Sequence, residues 1–396
     1  MSDWQQYTVQ ELIDLGWLEE PLDGNHGSIH PKASDYVSSG VPFIMATDLR
    51  SGTVDYKNCA FITEKQAAGL RKGFSHPGDV LLTHKATIGR TAIVPDTYQT
   101  IILTPQVTYY RAKENIDNRF LKYYFDTPAF QTILSNWAGS GSTRAYLGIT
   151  AQKKLPIVLP EYSVQKRIAS ILGVLDEKIN NNNEINENLQ EQAQAIYHHM
   201  IIENADAAWT PGVLSDIAVI TMGQSPKGES YNEDGVGTVF FQGRAEFGFR
   251  FPTRRLYTTD PKRMAQANDA LMSVRAPVGD MNVAYEDCCI GRGLGAIRSK
   301  DGHQSFVLYT MFALREQLNV FNGEGTVFGS INRDALNSMP VDIPPKEIMD
   351  QFEDIVAPMD AAIRNNYDEI CRLQAMRDSL LPRLMSGELD VSDIDL

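Results

Sequence analysis

The chain has 396 residues, 43% of them hydrophobic and 22% charged, with a formal net charge of −14. That is the make-up of a soluble globular protein with room for two or three domains, each with its own core. The opening MSDWQQYTVQEL has neither the basic nor the apolar stretch of a secretory leader, and no apolar run approaches the ~20 residues of a membrane span. Cys59, Cys288, Cys289 and Cys371 form no CxxC pair and read as free thiols of a reducing cytoplasm.

In chain order, residues 1–155 read as a mixed domain. Short apolar runs (VPFIMA, CAFIT, DVLLT, TAIVP, TIILT, VTYYRA) lie between clusters of Gly, Pro, Asn and Asp and predict strands. The stretch ENIDNRFLKYYFDTPAFQTILSNWA predicts a helix interrupted at Pro128. Residues 156–205 follow Pro160 with an apolar seam near a 3.5-residue period: Ile168, Leu172, Leu175, Ile179, Asn182, Asn186, Leu189, Ala193, Ile196, Met200. Residues 206–343 repeat the first recipe, with TVFFQG, ALMSV, NVAYE and GAIRS as strands and QSFVLYTMFALREQLNVF as a helix. Residues 344–396 carry a second seam: Phe352, Val356, Met359, Ile363, Asn366, Ile370, Leu373, Arg377, Leu380, Leu384.

The second seam copies the first. Residues 139–200 and 323–384 align without a gap at an offset of 184, which places Pro160 on Pro344, Asp176 on Asp360, Ile179 on Ile363 and Asn182 on Asn366. Internal repetition decides architecture before any local reading. It reaches the intervening domains at drifting offsets. Pro31-Lys32 falls on Pro226-Lys227, and DVLLTHKATIGRTAIV falls on DALMSVRAPVGDMNVA, with Lys85 on Arg275 and Gly89 on Gly279. The fold class predicted is α+β: two similar domains joined by two long helices that pair as an antiparallel coiled coil, a pseudo-twofold repeat. Asn182 and Asn366 fix its register, because a slipped seam would leave amides unpaired. Gly173 and Pro358, one position apart after alignment, predict a break or kink in each helix.

Charge is unevenly placed. Residues 160–204 carry 3 basic and 7 acidic side chains, and 344–396 carry 5 and 12, so the helices hold −11 of the −14. The remaining chain is near neutral and has room for a basic face, with Arg71-Lys72 and the arginines at 244, 250, 254 and 255 as candidate clusters. Catalytic signatures are missing: there is no phosphate loop, no dinucleotide-binding glycine motif, and no zinc spacing among the seven histidines. The acidic helices read as solvated or protein-docking faces.

These residues resemble one family, the specificity (S) subunits of type I restriction–modification systems. LPEYSVQKRIASILGVLDEKINNNNEINENLQ is similar to its central conserved region. PPKEIMDQFEDIVAPMDAAIRNN and LQAMRDSLLPRLMSGEL are similar to its C-terminal one. GQSPKGESYNEDGVGTVFFQGRAEFG and DALMSVRAPVGDMNVAYEDCCIGRGLGAI resemble parts of its target-recognition domains. The chain departs at Met349, which stands where the first copy has Gln165, and at His30 before Pro-Lys. The resemblance implies a non-catalytic, cytoplasmic, DNA-reading chain in which each recognition domain contacts one half of a bipartite asymmetric site. The coiled coil would set the unread gap and dock two modification (methyltransferase) subunits, and restriction motor-nuclease subunits would join. S-adenosylmethionine, ATP and Mg are expected on those partners, with no cofactor or metal on this chain. An S-like subunit of a type IIB-like or methylation-only complex is the other reading. Candidate DNA contacts are Lys32, Thr83, Lys85, Arg90, Ser142 and Arg144 in the first domain. In the second they are Lys227, Gln242, Arg244, Arg275, Arg292 and Thr326. Arg and Lys suit guanine edges and Gln suits adenine, while phosphate contact would carry no sequence information.

Overall fold

The computed structural model describes residues 4–139, 145–206, 209–323 and 329–391. It divides into two compact units, Met1–Ile179 with Cys371–Leu396, and Asn180–Ile370. Each unit therefore owns half of each long helix.

Both units are built to one plan. In unit 1 a four-stranded sheet runs in the order Ala60–Ile62, Val41–Ile44, Ile101–Leu103, Phe74–Ser75, and a second in the order Leu22–Asp23, Val107–Tyr110, Val80–Lys85, Thr87–Ile93. Unit 2 repeats this with Tyr257–Thr258, Thr238–Phe241, Cys288–Ile290, Met264–Ala265, and with Ala218–Met222, Leu294–Ser299, Ala270–Ser273, Met281–Val283. Tyr231–Asn232 adds one edge strand to the first of these. The central pair of the first sheet is parallel in both units, Phe43 facing Ile102 and Phe240 facing Cys289. A further two-stranded ribbon, Gln5–Thr8 on Pro156–Leu159 and Thr210–Val213 on Pro340–Ile343, ties each unit's first residues to the strand that leads into its long helix.

Alternation explains the layers, since successive strand residues face opposite sides. Val80 and Leu82 pack with Phe120, Leu121 and Phe125 of the helix Asn118–Asp126, whereas Leu81 packs with Ile44, Ile101 and Leu103 of the other sheet. Unit 2 matches: Ala270 and Met272 face Phe306 and Met311 of the helix Gln304–Ala313, and Leu271 faces Phe241 and Ile290. Pro128 falls at the first residue of the next helix, Pro128–Trp137, where its missing N–H costs nothing. All four cysteines are free, and burial pushes the Cys288 thiol up to about 12, so it behaves as core.

The long helices span Tyr162–Tyr197 and Lys346–Met385. In unit 1, Ile168, Ala169 and Leu172 share a core with Leu381, Leu384 and Met385. In unit 2, Ala193 and Tyr197 share one with Phe352, Val356 and Ile363. The numbering runs in opposite directions, so the pairing within each unit is antiparallel. The expected break at Gly173 and Pro358 is not there: both helices continue through. Gly173 meets only the distant end of Arg119, and Pro358 is exposed, so the carbonyl that loses its amide partner is open to water. The seam also drifts. Tyr197 and Ile201, not Ile196 and Met200, are the buried residues at the end of the first helix. There the helix packs on both its partner helix and the α+β domain: the Tyr197 ring meets Phe352, and its hydroxyl donates to Thr310 Oγ1 at 3.0 Å. No described helix is long and apolar enough to cross a membrane.

His303, at the start of Gln304–Ala313, joins that helix to the second long one. Its Nε2 is 2.7 Å from Asp350 and its Nδ1 2.9 Å from Asp301. Burial opposes its charge, but the two carboxylates outweigh burial and raise its pKa above the ordinary 6.5. Because the folded value is the higher one, the stabilisation is fully present below about pH 6.5 and is lost as pH climbs through the folded pKa. Urea unfolding followed from about pH 6 to pH 9 should show this loss, and His303→Gln should flatten that part of the profile. An equally steep fall in the variant would assign the pH dependence to another group.

Candidate nucleic-acid interface

At one end of unit 2 four strand ends are tied together by backbone hydrogen bonds. Gly223 N–H donates to Leu294, Gln224 N–H to Ile290, Gly293 N–H to Gln242 at 3.2 Å, and Val274 N–H to Gly293 at 2.9 Å. The Arg292 amide donates to Ser225 Oγ at 3.2 Å, two residues from Lys227. Close backbone approach is why glycines stand here: a Cβ on Gly223 would lie 2.1 Å from the Gly291 carbonyl, and one on Gly293 2.8 Å from that of Gln242. The fold thus gathers Lys227, Gln242, Arg244, Arg275 and Arg292 at one end, all with exposed side chains. Arg244 is ion-paired with Asp280. Among the described residues Arg275 and Arg292 have no ion-pair partner.

Unit 1 builds the corresponding end around the hairpin of Val80–Lys85 and Thr87–Ile93. Lys85 is exposed and, among the described residues, also has no ion-pair partner. Its place matches that of Arg275 in detail. Lys85 bridges Tyr146 and Arg275 bridges Ser330, and these two partners are themselves separated by the repeat offset of 184. Gly89 and Gly279 both have positive φ, +89° and +96°, which glycine adopts without strain. Arg90 is exposed and its Nη1 donates to the Ala46 carbonyl at 3.2 Å. Lys32 is exposed at the start of a 3₁₀ turn, with its N–H held by Asp35 at 2.7 Å.

Thr83 is fully buried and accepts the Arg90 N–H at 2.9 Å; it anchors the hairpin and has no surface to offer a duplex. Ser142, Arg144 and Thr326 lie outside the described residues. Asn182 and Asn366 do not bond each other. Asn182 Nδ2 donates to Glu369 at 2.7 Å, and Asn366 Nδ2 to Asn186 at 2.9 Å. The arginine-rich stretch of the second domain is not a free basic face. Arg250 is 4% exposed and paired with Asp360, Arg254 pairs with Glu286, and Arg255 with Glu233 and Glu246.

The two ends differ in chemistry. In unit 1, buried Asp23 is paired with Lys72 and with His26 at 3.0 Å, and lies 3.9 Å from His84. His84 donates through Nδ1 to Leu147 at 3.0 Å, and burial lowers its pKa so that it stays neutral. Unit 2 has Met222 and Val274 in the places of Asp23 and His84, both packed near Gly295. A common frame carries two unlike surfaces.

What the sequence reading missed is the attachment of the domains to the helices. In unit 1 Asp176 accepts the Tyr123 hydroxyl at 2.7 Å and faces Arg377 at 3.0 Å and Lys122 at 3.5 Å. Burial works against its ionisation, but Lys122, Tyr123 and Arg377 outweigh it and hold the carboxyl below the ordinary range. In unit 2 Asp360 accepts Tyr309 at 3.0 Å and Arg250 at 2.8 Å. Burial pushes both phenols far above their usual pKa, so both stay donors. The one available signal was the identity of Asp176 and Asp360 across the repeat.

Two duplicated α+β modules, each with exposed cations at its strand ends and each fastened to its own part of the long helices, are an arrangement suited to meeting a polyanion. The model of the type I restriction modification DNA specificity domain matches twice, at residues 1–191 and 207–371. The chain belongs to that family, as a specificity subunit. It is 23% identical to the type I restriction enzyme MjaIX specificity subunit of Methanocaldococcus jannaschii, over 99% of this chain and 95% of that one. It is 20% identical to the type I restriction enzyme HindI specificity subunit of Haemophilus influenzae, over 98% and 100%. The crystal structure of a type I restriction–modification S subunit from M. genitalium shares the fold, with a TM-score of 0.58 and 15% identity over 97% of this chain and 96% of that one.

Replacing Thr83 by Val should cost about 1 kcal/mol of stability through the lost Arg90 hydrogen bond, read from the urea midpoint, while DNA affinity stays unchanged. A variant of unchanged stability but weakened binding would make Thr83 a contact.

Proposed function

We propose that each unit reads one half of a bipartite asymmetric DNA site through its strand-end loops. Lys85 in unit 1 and Arg275 in unit 2 are the pair of equivalent contacts. The observation that carries this is their shared place: exposed cations at matching strand ends, bridged to matching partners and, among the described residues, without an ion pair, while Arg244, Arg250, Arg254 and Arg255 are each paired with a carboxylate. Arg292, Gln242 and Arg244 join Arg275, and Arg90 and Lys32 join Lys85. The unlike pairs Asp23–His84 and Met222–Val274 favour unlike half-sites.

In this reading the long helices set the unread gap and receive two modification subunits, with restriction motor-nuclease subunits joining the assembly in the cytoplasm. Their acidic surfaces suit protein partners better than phosphate. Methyl transfer and DNA cleavage belong to those partners, with S-adenosylmethionine, ATP and Mg bound there. The isolated chain should transfer no methyl group to target DNA until modification subunits are added.

Arg275→Ala in the assembled complex tests the contact. Affinity should fall by ~1–3 kcal/mol, with relaxed preference at one position of one half-site, if the guanidinium grips a base edge. If it holds phosphate, the loss is the same on every sequence and the salt slope drops by about one. Lys85→Ala should act on the other half-site. Unchanged affinity with impaired assembly would show that Arg275 is a structural residue.

A further inference from the structure

The two units solve one electrostatic problem with parts taken from different places. Asp176 and Asp360 are the same position of the repeat, and each receives a tyrosine hydroxyl from the helix packed on it, Tyr123 or Tyr309. The cation supplied by the recognition domain does not follow the repeat. In unit 1 it is Lys122, the residue before the tyrosine, whose Nζ is 3.5 Å from Asp176 and 2.9 Å from Asp126; in unit 2 that place is the buried Leu308. In unit 2 it is Arg250, from the turn that the Phe247–Pro252 bridge closes. The matching turn of unit 1 is the hairpin in which Leu49 faces Val54, and the residue in Arg250's place is Gly52. A Cβ on Gly52 would stand 2.9 Å from Lys122 Nζ. Where the helix supplies the cation the turn has no side chain, and where the turn supplies it the helix is apolar.

We propose that the residue-176/360 carboxylate is a common socket that positions a recognition domain on its helix. It accepts a tyrosine together with one cation that the domain supplies from either of two mutually exclusive places. A half-buried carboxylate is stabilised by a cation brought from the domain. The two places cannot both be filled, because a side chain at residue 52 would run into Lys122 Nζ; Arg377, from the other long helix, adds a second cation in unit 1. The socket is indifferent to where the cation originates, so domains with different loops seat on the same helix surface. Its consequence for DNA rests on the reading that each unit serves one half-site.

The test moves the cation within unit 2 of the full chain. A cavity of about 270 Å³ lined by Arg250, Leu308 and Asp360, among others, gives a lysine at 308 room to reach the carboxylate. Hydrogen exchange of the Gln304–Ala313 amides, without DNA, is the readout. Arg250→Gly should lose protection roughly tenfold or more, as expected for a buried charge left alone. Leu308→Lys should lose it too, and Arg250→Gly/Leu308→Lys should regain most of it. A double variant no better protected than Arg250→Gly, or an Arg250→Gly chain as protected as the parent, would overturn the socket. Should Arg250→Gly not fold, Lys122→Leu is the milder variant, since Arg377 still covers Asp176. It should deprotect Asn118–Asp126 while Lys122→Arg does not, and equal protection in both overturns the proposal. DNA binding by the assembled Arg250→Gly complex separates the two readings. Impairment confined to one half-site supports both, whereas equal impairment at both half-sites after a successful exchange cycle refutes one unit per half-site and leaves the socket standing.

Discussion

Each α+β domain is tied to the long helices at one half-buried carboxylate. Asp176 and Asp360 project from long helices into the base of a sheet-and-helix domain, where an ionised group is tolerated only with charge and hydrogen bonds around it. A tyrosine and a cation from the domain meet each of them, with Arg377 of the other long helix added at Asp176, so domain and helix are held at a defined point and not merely by apolar contact. The apolar contact is extensive: Phe352 alone meets the rings of Tyr197, Phe306 and Tyr309. Apolar packing is non-directional; the carboxylate adds the direction.

From that anchor the rest of each unit follows outward. The helix that carries the tyrosine covers one face of the middle sheet, the middle sheet covers the outer one, and the loops at the strand ends lie beyond both. The polar group of Asp23, His26, Lys72 and His84 in one unit and the apolar Met222 and Val274 in the other occupy the same places in the frame. Neither choice disturbs the core beneath, because the close glycine approaches at Gly24 and Gly223 are made by backbone in both units.

Pairing between the long helices is polar at intervals, and the polar residues cross over: Asn182 with Glu369, and Asn366 with Asn186. Along antiparallel helices rising numbers on one meet falling numbers on the other, and Asn182 and Asn366 lie far enough from the point where equivalent residues would meet that each bonds a different partner. The same geometry places Arg377, which sits in the apolar seam of the linear pattern, opposite Asp176, where its charge is used.

Much was legible in the linear chain. The offset of 184 announced two units; the apolar runs DVLLT and ALMSV announced strands; and Lys85 and Arg275 were paired by alignment alone, because short apolar runs and glycine turns are local properties. The short strands Gln5–Thr8 and Cys288–Ile290 were not, since their identity comes from a partner distant in the chain. Pro358 was expected to break a helix and does not, because it turned out to face solvent. Thr83 and Arg250 looked like surface groups and are buried, one under a hairpin and one against Asp360. By itself the sequence determined the repeat, the fold class, the family and the positions where cations recur. Only the tertiary structure decided which cations are neutralised and which are free, because ion pairing depends on proximity in space between residues such as Arg250 and Asp360, 110 positions apart.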